Sequence, residues 1–182
     1  SLGSFALLIF LFNGSLLAES RIAYVSFIEG KDTLLLQRGE GSEWSYATIN
    51  MPLIEGDRLW VEKDGRAEVL FNDGSYVRLN QYSSLDVVAL SGELVELKLD
   101  QGLLSFKTLV DDNPLIIQTP YISIQAKGLS KARLGVDEDG TSEVSVYEGE
   151  IEGNAQNGVF ALKQGESLLL YPDGRYSLRG LP

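Results

Sequence analysis

The chain contains no cysteine and no histidine in 182 residues. The first absence excludes disulfides, thiolate metal sites and cysteine nucleophiles. The second removes Ser-His-Asp catalysis and most zinc sites. Positive charge is also scarce: Lys+Arg total 15 against 26 Asp+Glu, for a formal net charge of −11. The basic residues are scattered singly along the sequence and form no stripe. An acidic body of this kind repels phosphate backbones, so neither nucleic acid nor an anionic membrane surface is an expected partner. No window beyond the first eighteen residues carries an apolar stripe of helical period. Length is not a constraint, because a domain of about 150 residues buries roughly 70% of its unfolded surface and needs no covalent staple.

The one long apolar run is at the start. Residues 2–18 carry no charge, and Phe5 to Phe12 is unbroken before Asn13-Gly14-Ser15 ends it. A span of a bilayer needs about 20 apolar residues. The short run, its breakers and Leu16-Leu17-Ala18 fit a secretory signal peptide covering residues 1–18, cut after Ala18 and truncated at its start; the competing reading is the tail of a membrane anchor. Either way, residues 19–182 are expected to be exported, to the periplasm or outer face of a bacterial envelope, with no membrane insertion beyond the first segment.

From Arg21 onward the chain is a succession of short alternating segments separated by turn residues. Nineteen glycines punctuate the sequence, which points to an all-β fold: a short-stranded antiparallel sandwich or a loosely coiled β-roll. The organising stretch runs from Glu55 to Leu79. It reads as three strands joined by the Asp64-Gly65 and Asp73-Gly74 turns, the usual grammar of hairpins. Ile22 to Ile28 is expected to pair with Thr33 to Gln37, and Trp44 to Ile54 to wrap a sheet edge. Asp111-Asp112-Asn113-Pro114 breaks the ladder and marks a boundary between two halves. Glycines after Glu or Gln recur at Gly30, Gly56, Gly102, Gly149 and Gly165, where they are expected to supply positive-φ turn or bulge positions.

Pro52-Leu53-Ile54-Glu55-Gly56-Asp57-Arg58-Leu59, Arg66-Ala67-Glu68-Val69 and Asn72-Asp73-Gly74-Ser75-Tyr76-Val77-Arg78-Leu79 resemble the FecR domain family. Gln101-Gly102, Gln118-Thr119-Pro120-Tyr121, Val144-Ser145-Val146-Tyr147-Glu148-Gly149 and Leu162-Lys163-Gln164-Gly165-Glu166 come after them in the family's order. The likeness covers roughly residues 21–178. It implies an all-β envelope domain that contacts other proteins, and it brings no catalytic residues. The family's usual Gly-Thr is here Gly128-Leu129, and no anti-sigma segment or membrane helix precedes the domain in this sequence, so a free-standing exported module is the closer match.

Candidate sites are few. Asp137-Glu138-Asp139-Gly140 lacks the ligand spacing of a calcium loop and reads as a hairpin turn, so neither metal nor cofactor is expected. No Gly-x-Ser-x-Gly elbow accompanies the serines, and no enzyme activity is expected. Alternation turns Leu59 and Val61 inward and Arg58, Trp60, Leu70, Tyr76 and Arg78 outward. If the three strands are neighbours, those five make an aromatic and basic patch of the kind that anchors protein partners. The alternatives are that Trp60 is ordinary core, that Trp44, Trp60 and Tyr76 are stacking platforms of a carbohydrate- or cell-wall-binding module, or that the chain is an accessory domain of a longer envelope protein.

Overall fold

The computed structural model describes residues 21–109 and 114–181. Among them every regular element is a strand. In chain order these are β1 (Ala23–Glu29), β2 (Leu34–Arg38), β3 (Trp44–Tyr46), β4 (Pro52–Leu53), β5 (Asp57–Val61), β6 (Arg66–Phe71), β7 (Tyr76–Asn80) and β8 (Ser84–Leu90). They continue with β9 (Val95–Lys107), β10 (Leu115–Gln118), β11 (Ile122–Val136), β12 (Ser142–Ala155), β13 (Gly158–Lys163), β14 (Glu166–Leu170) and β15 (Tyr176–Gly180). The fold class is therefore the all-β one expected. The expected signal segment, and residues 111–113 of the expected boundary, lie outside the described residues.

All fifteen strands belong to one open sheet that folds over itself along its three longest members. The early part of β9 pairs with β8 and, in parallel, with β10, whereas its later part pairs with β7 and β11. In the same way β12 pairs with β14 near its start and with β13 near its end. Two limbs result. The first holds β4, β1, β6, β7, the later parts of β9 and β11, the start of β12, β14 and β15. The second holds β3, β2, β5, β8, the early part of β9, β10, the early part of β11, the end of β12 and β13. The chain passes repeatedly from one limb to the other, as a coiled roll does.

Alternation decides what lies between the limbs. Val69, Val77, Leu104, Phe106, Leu134, Val144 and Val146 from the first limb join Leu36, Leu59, Leu85, Leu97, Ile117, Ile124 and Ile151 from the second in one buried cluster. Each such side chain contributes about 1.5–3 kcal/mol by leaving water. The bends that carry long strands across are made at glycine. Gly102 has φ +99° and Gly149 φ +77°, and the ladder between β11 and β12 shifts register around Lys127–Ala132. The five glycines of the Glu/Gln-Gly pairs all take positive φ, as expected.

Two pairings differ from the sequence reading. Strand β1 does not pair with β2; it lies between β4 and β6, while β2 lies between β3 and β5. The Asp64-Gly65 turn is likewise not a hairpin. Asp64 takes φ +61° without a positive φ at Gly65, so the two-residue hairpin geometry that needs both is not formed. Instead the Glu62 N–H donates to the Thr33 carbonyl (2.7 Å) and the Asp64 N–H to Gln81 Oε1 (2.8 Å). Those bonds carry the chain over the end of the core, from β5 in the second limb to β6 in the first. Asp73-Gly74 does close a hairpin between β6 and β7, with the Phe71 N–H on the Ser75 carbonyl (2.9 Å). The expected edge role of residues 44–54 holds, since β3 and β4 each border one strand only.

Candidate functional site

The crossing at Asp64-Gly65 divides the five outward residues of the sequence reading. Arg58 and Trp60 stand on β5, in the second limb. Leu70, Tyr76 and Arg78 stand on β6 and β7, in the first. Strands β5 and β6 are not neighbours, so the premise of a single patch fails, and the two groups occupy outer faces of different limbs. All five do point outward: their inward neighbours Leu59, Val61, Val69, Val77 and Leu79 are buried.

On the second limb, Trp60 faces Leu35 on β2 and Ser84 on β8, and Leu35 in turn faces Tyr46 on β3. The Trp60 and Tyr82 rings lie 6.4 Å apart at 43°, within the range of favourable aromatic pairs. Tyr82 is held with φ +61°, a backbone that a bulky side chain adopts only when its surroundings impose it. Here the Tyr82 N–H donates to the Val61 carbonyl (2.7 Å), and its carbonyl accepts from Gln101 Nε2 (3.2 Å). Trp44 is on the same outer face, two residues before Tyr46. These two and Tyr82 are 43–59% exposed. The row Tyr46, Leu35, Trp60, Tyr82 is thus a largely aromatic patch at the β3 edge of the sheet, exposed at its two ends and half-buried at Leu35 and Trp60. Concavities of 340–610 Å³ occur among the described residues, such as those lined by Ile116 and Phe160 and by Gly56 and Val88, and neither Trp44 nor Trp60 lines them. The two tryptophans lie on a sheet face, and Tyr82 at the end of the row borders a concavity shared with Gly102 and Thr141.

Arg58, beside this patch, is already engaged. Its Nε donates to Asp86 (2.9 Å) and its Nη2 lies 3.8 Å from Asp100. The hydrogen bond to Asp86 and then the Asp86 charge push its guanidinium above its ordinary value, Asp100 and Glu40 adding to the effect. The cation is neutralised within its own face. Asp57, one residue earlier, is buried: its Oδ2 accepts from Arg38 Nη1 (2.7 Å) and the Ile54 N–H (2.9 Å). This carboxylate holds the turn that starts β5.

On the first limb, Leu70 faces Tyr24 on β1 and Tyr76 on β7, and Tyr76 faces Lys107 on β9. Arg78 lies over the Tyr76 ring, 4.3 Å from its centre, a geometry that attracts a cation to an aromatic face. Its Nε donates to Glu68 (2.6 Å), the main reason its guanidinium is pushed up. Phe27, 49% exposed and opposite Glu68, extends the apolar part.

Tyr24, Phe27, Tyr46, Tyr82 and Lys107 were not among the sequence candidates. Alternation with buried neighbours made Tyr24 and Lys107 legible as outward, but Phe27, Tyr46 and Tyr82 lack that pattern, and the strand neighbours that gather all five were not visible. Asp137–Gly140 forms the expected hairpin turn, with the Asp137 N–H on the Thr141 carbonyl and the Thr141 N–H on Asp139 Oδ1, both 2.9 Å. No group of three potential metal-ligating residues occurs among the described residues.

The profile of the family described as FecR protein matches residues 57–152. No curated protein matches the chain. Two crystal structures of an inferred anti-sigma factor from Parabacteroides distasonis ATCC 8503 are similar, with TM-scores of 0.61 and 0.59 at 19% and 18% identity. Each likeness covers 68% of this chain and 59% of that one. At such identity the likeness is one of fold, and the chain matches well under two thirds of that protein's length.

Proposed function

This chain belongs to the FecR protein family, and we propose that it is an exported, non-enzymatic domain by which a bacterial envelope protein contacts a protein partner or senses a signal. The observation that carries the reading is the family match over residues 57–152, which runs from β5 to the end part of β12 and includes strands of both limbs. The uncharged segment 2–18 supports export. The description of the two structures similar in fold supports a regulatory partner. The domain meets that partner through its outer sheet faces, with exposed Trp44, Tyr46 and Tyr82 beside half-buried Trp60 on one limb, and half-buried Leu70 and Tyr76 beside exposed Arg78 on the other. Exposed aromatic and arginine side chains of this kind supply most of the energy of protein interfaces.

A second reading, binding of carbohydrate or cell wall, draws on one observation: Trp44 and Trp60 share an outer face. It is the weaker reading, because a sugar site needs aromatics lining a concave groove, and Tyr76 belongs to the other limb. The test is a crosslinking pull-down from envelope extract with the exported chain, residues 19–182. Recovery of a receptor or regulator supports the proposal. Recovery of peptidoglycan or polysaccharide alone overturns it.

A further inference from the structure

Although the basic residues are scattered singly along the sequence, the fold collects them. The outer face of the first limb carries Arg66, Arg78, Lys107, Lys131, Arg133 and Arg179, against Glu29, Glu68, Glu143 and Glu148. Six cations against four carboxylates give this face a charge of +2. The rest of the chain, with nine basic and twenty-two acidic residues, carries −13. The expectation that the cations form no stripe does not survive folding.

At the centre of the face are four cations on three adjacent strands. Lys107 on β9 is directly opposite Lys131 on β11, and Arg78 on β7 and Arg133 on β11 flank Ser105 on β9. Strand spacing of about 4.8 Å puts the two arginine positions about 10 Å apart across that serine. Like charges directly opposite one another cost a sheet stability. Their relief here is incomplete: one carboxylate, Glu148, serves both lysines at 3.6 and 3.9 Å. Arg78 is paired with Glu68, but Arg133 is exposed and has no carboxylate within ion-pair reach among the described residues. Its cross-strand neighbours, Ser105 and Ser145, are neutral. Beside this quartet lies the apolar half of the face: Tyr24, Phe27, Leu70 and Tyr76.

We propose that this face docks an extended acidic segment of a partner protein, with acidic side chains over Ser105 between Arg78 and Arg133, and apolar ones against Tyr76 and Leu70. The inference rests on the protein-interaction reading above and names the partner's chemistry. Charge complementarity selects the occupant, because an acidic segment is repelled by the −13 remainder and attracted only here. The neighbouring aromatics favour a polypeptide over a polyanion, since a phosphate or sugar-acid polymer would use the cations and leave the apolar half uncovered.

The probe is a fluorescein-labelled twelve-residue peptide alternating Glu with Leu and Tyr, titrated against the exported chain and followed by anisotropy. Controls are the same peptide with Lys for Glu, oligo-glutamate, and vesicles of phosphatidylglycerol. Binding of the Glu/Leu/Tyr peptide is expected to weaken with salt and to fall at least tenfold in the Lys131→Gln/Arg133→Gln variant, both residues being exposed. No binding, binding unchanged in that variant, equal binding of oligo-glutamate, or preferential binding of the vesicles each overturns the proposal. A Trp60→Ala variant separates this from the wider reading. If the peptide fails here while a native partner is captured through Trp60, this assignment falls and protein interaction stands.

Discussion

Replacing Gly102 with alanine tests how the long strands pass from limb to limb. Gly102 has φ +99°, and a Cβ there would lie 2.4 Å from both the Cα and the Oγ of Ser83. Ser83 has nowhere to go. It is fully buried, its carbonyl accepts the Val61 N–H (3.0 Å), its hydroxyl accepts the Leu103 N–H (3.0 Å), and that hydroxyl also donates to the Leu103 carbonyl (3.2 Å). Two costs therefore add. An L side chain at positive φ costs about 1–2 kcal/mol, and relieving the contact loosens two or three hydrogen bonds of about 1 kcal/mol each. The expected loss is about 3–5 kcal/mol, out of a total stability of about 5–15 kcal/mol. Gly56 supplies the control, because it has φ +87° and open space where a Cβ would stand. Its replacement by alanine therefore costs only the backbone term, about 1–2 kcal/mol. The gain from a stiffer unfolded chain is the same for both variants and cancels in the difference. Urea unfolding followed by tryptophan fluorescence should place Gly102→Ala at least about 2 kcal/mol below Gly56→Ala, with similar m-values. Equal losses would refute the view that Gly102 makes a crowded crossing.

The same geometry sets three further expectations. Trp60→Ala should abolish capture of a partner while lowering stability by about 1–2 kcal/mol, as for a half-buried outward side chain; a loss of about 3–5 kcal/mol would make Trp60 core instead. Asp57→Ala should cost about 1–3 kcal/mol in urea unfolding, because it removes a buried carboxylate that accepts from the Ile54 N–H and Arg38; an unchanged midpoint would show the turn is held otherwise. Asp139 and Asp173 have carboxylates held below the ordinary value of 3.8, chiefly by the Thr141 and Arg175 backbone N–H groups. Their contribution is thus complete above pH 3.8 and is lost only as the pH falls through the lower folded values. NMR titration should give both carboxyl groups midpoints below 3.8, and midpoints at or above it would contradict the turn hydrogen bonds.

Much of this architecture is written in local pattern. Ser84 to Leu90 is a strand with the bounds its alternation implies, and Val95, Leu97 and Leu99 point inward as their alternation with Glu96 and Lys98 requires. Positive-φ glycine was legible at Gln101-Gly102 and Glu148-Gly149, because few other residues tolerate that conformation. It was not legible that the chain there bends within one strand instead of turning between two. Nor could the sequence distinguish Asp64-Gly65 from Asp73-Gly74. The same dipeptide closes a hairpin at the second site and crosses the core at the first, and what differs is the long-range choice of β1 as the neighbour of β6. That choice separated Trp60 from Tyr76, and the pairing of β9 with both β7 and β11 gathered Lys107, Lys131 and Arg133 beside Tyr76. Face and exposure are set by period-two alternation; which strands share a face depends on contacts between residues far apart in sequence, and single-strand pattern carries no record of them.

The central claim, that the domain works by contacting protein in the envelope through its outer sheet faces, is most directly tested by photo-crosslinking in cells. A benzoylphenylalanine placed at Tyr76 in the full chain, with a second variant at the outward Asn154 on the far limb as reference, reports what lies against the first limb. A discrete protein adduct is expected from position 76 and is lost when Lys131 and Arg133 are neutralised. Adducts with polysaccharide or lipid alone, or the same adducts from both positions, would contradict it.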